Sequence, residues 1–168
     1  MSTMTGLRCS VADLLRRPGS ARHVTRSAPV AGLTTPAAGV VPEEPVGFDL
    51  TLARVAEGIV VRGTMRARFT AECSRCVRPV SGEVVVHVDE LFEHAPLEGE
   101  TYPIHDEHLD LEPLARDAIL PALPLTPLCR ADCAGLCPTC GAERNQVACE
   151  CHVDTADDRW APLRALDL

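Results

Sequence analysis

The stretch VRGTMRARFTAECSRCVRPVSGEVVVHVDELF (61–92) decides the fold. In its first part Val61, Gly63, Met65, Ala67, Phe69 and Ala71 lie to one side, and Arg62, Thr64, Arg66, Arg68, Thr70 and Glu72 to the other. A helix would bring residues three and four apart together, so this period of two is that of a strand with one buried face. EVVVHVDELF (83–92) repeats the pattern, with Val84, Val86 and Val88 inward. The intervening CSRCVRP is too short for a crossover, so the two strands are expected to pair antiparallel.

Working outward, Phe48, Leu50 and Leu52 alternate with Asp49, Thr51 and Ala53, and Glu57-Gly58 supplies a turn into the next strand. Three strands in series with short turns predict an antiparallel meander. On the N-terminal side SVADLLRR (10–17) predicts a short helix capped by Ser10 and ended by Pro18-Gly19, and the Pro/Gly/Ala-rich residues 27–46 read as a linker. On the C-terminal side residues 93–108 read as an acidic loop. A helix follows at 110–120, capped by Asp110, with Leu111, Leu114, Ala115, Ala118 and Ile119 on one stripe. Pro121, Pro124 and Pro127 stop it. The expected class is α+β: an antiparallel meander with a few short helices and a cysteine-rich, zinc-ordered C-terminal segment. The expected division is 1–46 (helix and linker), 47–128 (sheet and helix) and 129–168 (zinc module).

Only 3% of the 168 residues are aromatic, so the core must be built from aliphatic side chains, and metal would help to hold it. No apolar run reaches the roughly 20 residues that cross a bilayer. No apolar segment with a cleavage site stands near Met1, so the expected location is the cytoplasm, without membrane or small-molecule substrate. In that compartment nine cysteines argue for metal or redox chemistry rather than disulfides. Charge is segregated: residues 81–113 carry ten acids and no Arg, and all sixteen basic residues of the chain are arginine.

Eight of the cysteines stand at turn spacings. Cys73/Cys76 and Cys137/Cys140 are Cys-x-x-Cys pairs, joined by Cys129-x3-Cys133 and Cys149-x-Cys151. A Cys-x-x-Cys turn seats two sulfurs on one tetrahedral zinc. In CPTCG, Pro138 stiffens the turn and Gly141 permits positive φ. The simplest partition puts Cys137, Cys140, Cys149 and Cys151 on one local ion. Cys73, Cys76, Cys129 and Cys133 would hold a second that ties the tip of the sheet to the C-terminal segment. One or two structural Zn2+ ions are therefore expected. His152 is an alternative ligand to Cys151, an iron–sulfur cluster uses the same ligand type, and Trp160 reads as an anchor against the module. Cys9 stands apart.

Arg62, Arg66 and Arg68 share the outer face of the best strand, with Arg75 and Arg78 at its tip. Two readings stand: a positive surface for a phosphate backbone, or a solvated face paired to the acids of 81–113. No aromatic residues interleave for base stacking. His87 reads as a surface residue, and HDEH (105–108) as a weak chelator at most. There is no Gly-rich phosphate loop, no G-x-S-x-G and no paired His and acid at motif spacing, so no catalytic residue is expected.

ECSRC after an alternating strand, then LPLTPLC, CRADCAGLCPTCG and a final CEC, resemble the YceD family of large ribosomal RNA subunit accumulation proteins. VADLLRRPGSARHVTRSAP resembles its actinobacterial branch. The resemblance implies a part in maturation or accumulation of 23S-type ribosomal RNA, with precursor RNA or a ribosomal protein as partner. Two other functions compete with it: a zinc-module adaptor between proteins that never touches RNA, and a thiol sensor that releases zinc on oxidation.

Overall fold

A computed structural model describes residues 7–96 and 98–151 of the chain. The elements in order are β1 (Arg8–Ser10), α1 (Ala12–Leu15), β2 (Ala21–Ala28), β3 (Ala38–Val40), β4 (Val46–Arg54), β5 (Ile59–Glu72) and β6 (Pro79–Glu93). They are followed by β7 (Tyr102–His105), β8 (His108–Asp110), α2 (Leu111–Ile119) and a 3-10 turn (Leu120–Ala122). The strands join in one sheet of order β1-β8-β7-β6-β5-β4-β2, with β3 beside β5.

The period-two stretch forms the β5–β6 hairpin, in register from Ile59↔Phe92 to Glu72↔Pro79. Its inner side chains Val61, Met65, Ala67, Val84 and Val88 are buried together with Phe48, Leu50 and Leu52 of β4. Burying this aliphatic face gains about 25 cal/mol per Å2 removed from water, the main term holding the sheet. The sheet curls strongly. Gly63 (φ +151°) sits where β4 crosses so closely that a Cβ would lie 2.1 Å from the Asp49 carbonyl oxygen. Into the concave side pack α1, through Leu14, and α2, through Leu111, Leu114, Ala115 and Ile119. Asp110 caps α2 as the sequence predicts, accepting the Glu112 N–H at 3.0 Å.

Several expectations are corrected. The sheet is mixed, because β7 runs parallel to β6 (Phe92↔Tyr102). The Phe92 and Tyr102 rings stack there, 5.0 Å between centroids. The segment 93–108, read as a loop, supplies β7 and part of β8. The linker reading of 27–46 gives way to β3, paired Val40↔Phe69, and to the end of β2, paired Ala28↔Val46. The helix predicted at 10–17 is one turn, and Ser10 belongs to β1 instead of capping it.

The two terminal strands of the sheet, β1 and β2, meet through side chains. Backbone groups of Leu7 and Val11 bond toward β8, which turns the Arg8 and Ser10 carbonyls outward. Arg26 donates to the Arg8 carbonyl at 3.3 Å, and Arg22 donates to that of Ser10. Guanidinium groups thus cover the carbonyl edge that would otherwise invite another strand.

Candidate metal centres

The β5–β6 connection makes the first cysteine pair. The Cys73 N–H donates to the Arg78 carbonyl and the Val77 N–H to the Cys73 carbonyl, both at 2.8 Å. This tight turn puts Val77 at φ +62° and faces both sulfurs the same way. After α2 the chain returns to it: the Ser74 N–H donates to the Pro127 carbonyl at 2.8 Å, which delivers Cys129 and Cys133 to the same spot. Cys73 Sγ lies 3.8 Å from Cys133 Sγ, and Cys76 Sγ lies 3.6 Å from Cys129 Sγ. Four sulfurs about 2.3 Å from a tetrahedral zinc would stand about 3.8 Å apart. The spacing is that of a ligand tetrahedron, and the group is nearly closed to solvent.

The second turn repeats the first. The Cys137 N–H donates to the Ala142 carbonyl and the Gly141 N–H to the Cys137 carbonyl, again at 2.8 Å, with Gly141 at φ +73°. Cys137, Cys140, Cys149 and Cys151 come together here, and within each of the two groups all ligand atoms lie within 4.8 Å of one another. This group is more open, since Cys140 is exposed.

Within each group the thiols are driven apart in acidity by burial and by hydrogen bonds. In the first, burial raises Cys73, but backbone hydrogen bonds from Cys129, Arg75 and Cys76 outweigh it and bring the thiol down to about 6. The Asn145 amide holds Cys133 below the usual range. Burial, with hydrogen bonds to Cys133, Cys76 and Cys73, pushes Cys129 up to about 11. In the second, the backbone N–H groups of Cys140 and Thr139 lower Cys137 to about 6, while the hydrogen bond to Cys140, with burial, raises Cys151 to about 12. Once some sulfurs ionise, their neighbours resist. A bound cation would let all four be thiolates together. Four thiolates on a tetrahedral ion would leave it no position for water or substrate.

The structure therefore gathers the eight cysteines into the two sets the spacing suggests, including the pairs 60 and 53 residues apart that no local motif joins. Cys9 is elsewhere, buried in the aliphatic core, and burial raises its thiol. His152 and Trp160 lie outside the described residues. His105 and His108 pair across the β7–β8 turn and belong to no metal-holding group among the described residues.

The arginines divide in two. Arg62, Arg66 and Arg68 stand on the convex face, each beside an acid: Asp89 at 2.7 Å, Glu83 at 3.5 Å and Glu44 at 3.5 Å. Arg75 and Arg78 turn inward to the C-terminal segment. Arg75 Nη1 donates to the Cys133 carbonyl at 2.9 Å, and Arg78 reaches both Cys129 Sγ and Glu143, the latter at 2.8 Å. Sequence reasoning missed Asn145 and Gly135. Asn145 donates to Cys133 Sγ at 3.2 Å. Gly135 (φ +73°) lies where a Cβ would meet the Arg75 carbonyl at 3.0 Å. A polar residue midway between two ligand pairs was the available sign for the first. Nothing local marks the second.

With this geometry in view, comparison with known proteins is informative. An uncharacterized protein of Mycobacterium bovis is 40% identical over 123 residues, 69% of this chain and 59% of that protein. One of Mycobacterium leprae is 32% identical over 161 residues, 91% of this chain and 74% of that protein. The chloroplastic "Large ribosomal RNA subunit accumulation protein YCED homolog 1" of Zea mays is 24% identical over 157 residues, 73% of this chain and 54% of that protein. The chain thus spans less than two thirds of the first of these relatives. No solved structure matches. The family model for "Large ribosomal RNA subunit accumulation protein YceD" matches residues 61–167, from the arginine-bearing strand through both cysteine groups, and the chain belongs to that family.

Proposed function

We propose that this chain is a non-catalytic, zinc-binding factor in the accumulation of large-subunit ribosomal RNA, acting in the cytoplasm on precursor RNA or a large-subunit ribosomal protein. The observation that carries the metal part is the pair of four-sulfur groups, each saturated by cysteine and so suited to holding structure rather than activating water. The ribosomal part rests on family membership. For the contact surface we take the convex face of Arg62, Arg66 and Arg68. Their carboxylate partners are exposed, and exposed ion pairs contribute little, so phosphates can replace them at low cost.

The test reverses all three charges (Arg62→Glu, Arg66→Glu, Arg68→Glu) in the chromosomal copy. Large-subunit particles should fall and precursor RNA rise, and RNA binding by the purified variant should lose roughly one power of salt dependence per phosphate contact. Unchanged ribosome profiles with normal protein levels would place the contact elsewhere.

A second reading is favoured by one observation. Of the five exposed large apolar side chains among the described residues, Val77, Leu125, Leu136 and Val147 belong to the β5–β6 turn or the segment that returns to it. Such an end suits a protein partner. Binding that survives high salt and is lost on Val77→Asp/Leu136→Asp would support it over RNA contact.

A further inference from the structure

The loop that closes the second cysteine group also completes the first. Between Cys140 and Cys149 run the residues GAERNQVA, and two of them leave their own group. The Asn145 Oδ1 accepts the Ala134 N–H at 2.8 Å, which fixes the amide so that its NH2 points outward. That NH2 donates to Cys133 Sγ at 3.2 Å. Glu143 stands 2.8 Å from Arg78 Nε, whose Nη2 in turn lies 3.9 Å from Cys129 Sγ. The backbone carries the same tie: Leu136 N–H donates to the Arg75 carbonyl at 3.0 Å, and Arg144 N–H to that of Gly135 at 2.9 Å. Two of the four sulfurs of the first group are thus contacted by side chains held, or braced, by a loop whose ends belong to the second.

The eight residues carry one turn of their own, in which the Gln146 and Val147 N–H groups donate to the Glu143 carbonyl at 2.9 and 3.0 Å. Their first residues are tied to Cys137 by the Gly141 N–H and the Ala142 carbonyl. That turn is placed between two pairs of ligands of the second group, and an ion closing the group would fix both its ends, which otherwise cost backbone entropy to hold in place. The hydrogen bonds to Cys133 and the bracing of Arg78 then come at the expense of that ordering. We infer that the two metal sites are coupled: an ion in Cys137/Cys140/Cys149/Cys151 holds Asn145 and Glu143 against the first site and tightens binding there, with Asn145 as the main positioning residue. This rests on the metal reading above. Since coupling between two bound ligands is reciprocal, an ion in the first site also favours the second.

The probe is Co2+ titrated into reduced apoprotein, followed by thiolate-to-cobalt absorption and by competition with a chelator of known affinity. Three chains isolate the terms: the intact one, Cys137→Ser/Cys140→Ser (first site only) and Cys73→Ser/Cys76→Ser (second site only). Asn145→Ala is placed in each. Partners that hydrogen-bond a metal ligand change affinity by roughly 10- to 100-fold. In the intact chain Asn145→Ala should weaken one of two equivalents by about that factor. In the second-site-only chain it should leave affinity within about twofold. In the first-site-only chain binding should already be weak, and Asn145→Ala should add less than about threefold. The inference is overturned if Asn145→Ala leaves both constants of the intact chain unchanged. It is also overturned if its full effect persists in the first-site-only chain, which would mean that the loop needs no second ion. Should serine variants misfold, Asn145→Ala and Glu143→Gln in the intact chain still decide: no loss at either site refutes the coupling. A chain that binds no Co2+ at all overturns the metal reading, and the coupling with it.

Discussion

Val77 and Gly141 occupy the same position in two copies of one turn. Each is the fourth residue after the first cysteine of its pair, each donates its N–H to that cysteine's carbonyl at 2.8 Å, and each has positive φ, +62° and +73°. Glycine is at ease there. A β-branched residue is not, because its Cβ crowds the following carbonyl at a cost of roughly 1–2 kcal/mol. The first turn therefore carries strain that the second lacks. Val77→Gly should leave metal stoichiometry intact and stabilise the protein by about 1 kcal/mol, less the backbone entropy of glycine. Gly141→Val should destabilise by a similar amount. Thermal unfolding of the metal-loaded proteins checks both signs.

Gly63 should tolerate no side chain. A Cβ there would stand 2.1 Å from the Asp49 carbonyl oxygen, backbone that cannot swing aside without undoing the β4–β5 ladder. Gly63→Ala is expected to cost about 3 kcal/mol or more, whereas Gly99→Ala, with nothing within 4 Å, should cost only the strain of its positive φ. Chemical denaturation of the two variants compares them directly.

Arg78 and Glu143 join the two cysteine modules across a 2.8 Å ion pair, with the carboxylate the less exposed partner at 19%. Arg78 is 42% exposed as a whole, but the facing Nε and Oε1 atoms are themselves buried and their contact lacks hydrogen-bond geometry, so the pair is a charge contact only. A double-mutant cycle with Arg78→Ala and Glu143→Gln should give a coupling of about 0.5–1 kcal/mol. It should shrink as salt is raised. A coupling of zero at low salt would show that the modules are held by their backbone bonds alone.

Metal uptake should release protons. Near neutral pH the Cys129 and Cys151 thiols, raised to about 11 and 12, hold their protons in the metal-free chain, and binding must displace them. Because the displaced groups have pKa values above the working pH, apparent affinity should climb as pH rises from about 6 to about 8 and fall on acidification. A pH indicator in weak buffer, read during Zn2+ addition, measures the protons directly.

What could be read from the sequence follows from the range of the forces involved. The β5–β6 hairpin and α2 declare themselves because an aliphatic face recurs at a fixed period within one segment, Val61-Met65-Ala67 in one and Leu111-Leu114-Ala115 in the other. Strand β2 hides because, of the face that carries buried Ala28, Arg22 and Val24 are only half-buried and Arg26 is exposed, and both arginines donate to carbonyls of β1. Strands β3 and β8 are three residues each and pair with segments far along the chain, Phe69 for Val40 and Cys9 for Leu109, although β8 also has a local partner in β7. The parallel step at Phe92↔Tyr102 likewise has no local sign. Cysteine spacing marks the pairs, but only the fold shows that Cys73 and Cys133 share a site. Arg75 and Arg78 stand at the tip of the sheet as the sequence places them, and there they reach Cys133 and Glu143.

The separation of 60 positions from Cys73 to Cys133 also sets a timetable. As the chain leaves the ribosome, Cys73 and Cys76 appear with only two sulfurs to offer and must wait through β6, α2 and the proline-rich return before Cys129 and Cys133 arrive. The second group is complete within fifteen residues of its first member, Cys137 to Cys151. Closing the long loop carries the larger entropic cost, which grows with the logarithm of its length. A newly made chain thus passes through a stage in which the first pair of sulfurs stands without the second, and the tip of the sheet can be sealed only once Cys129 and Cys133 have been delivered.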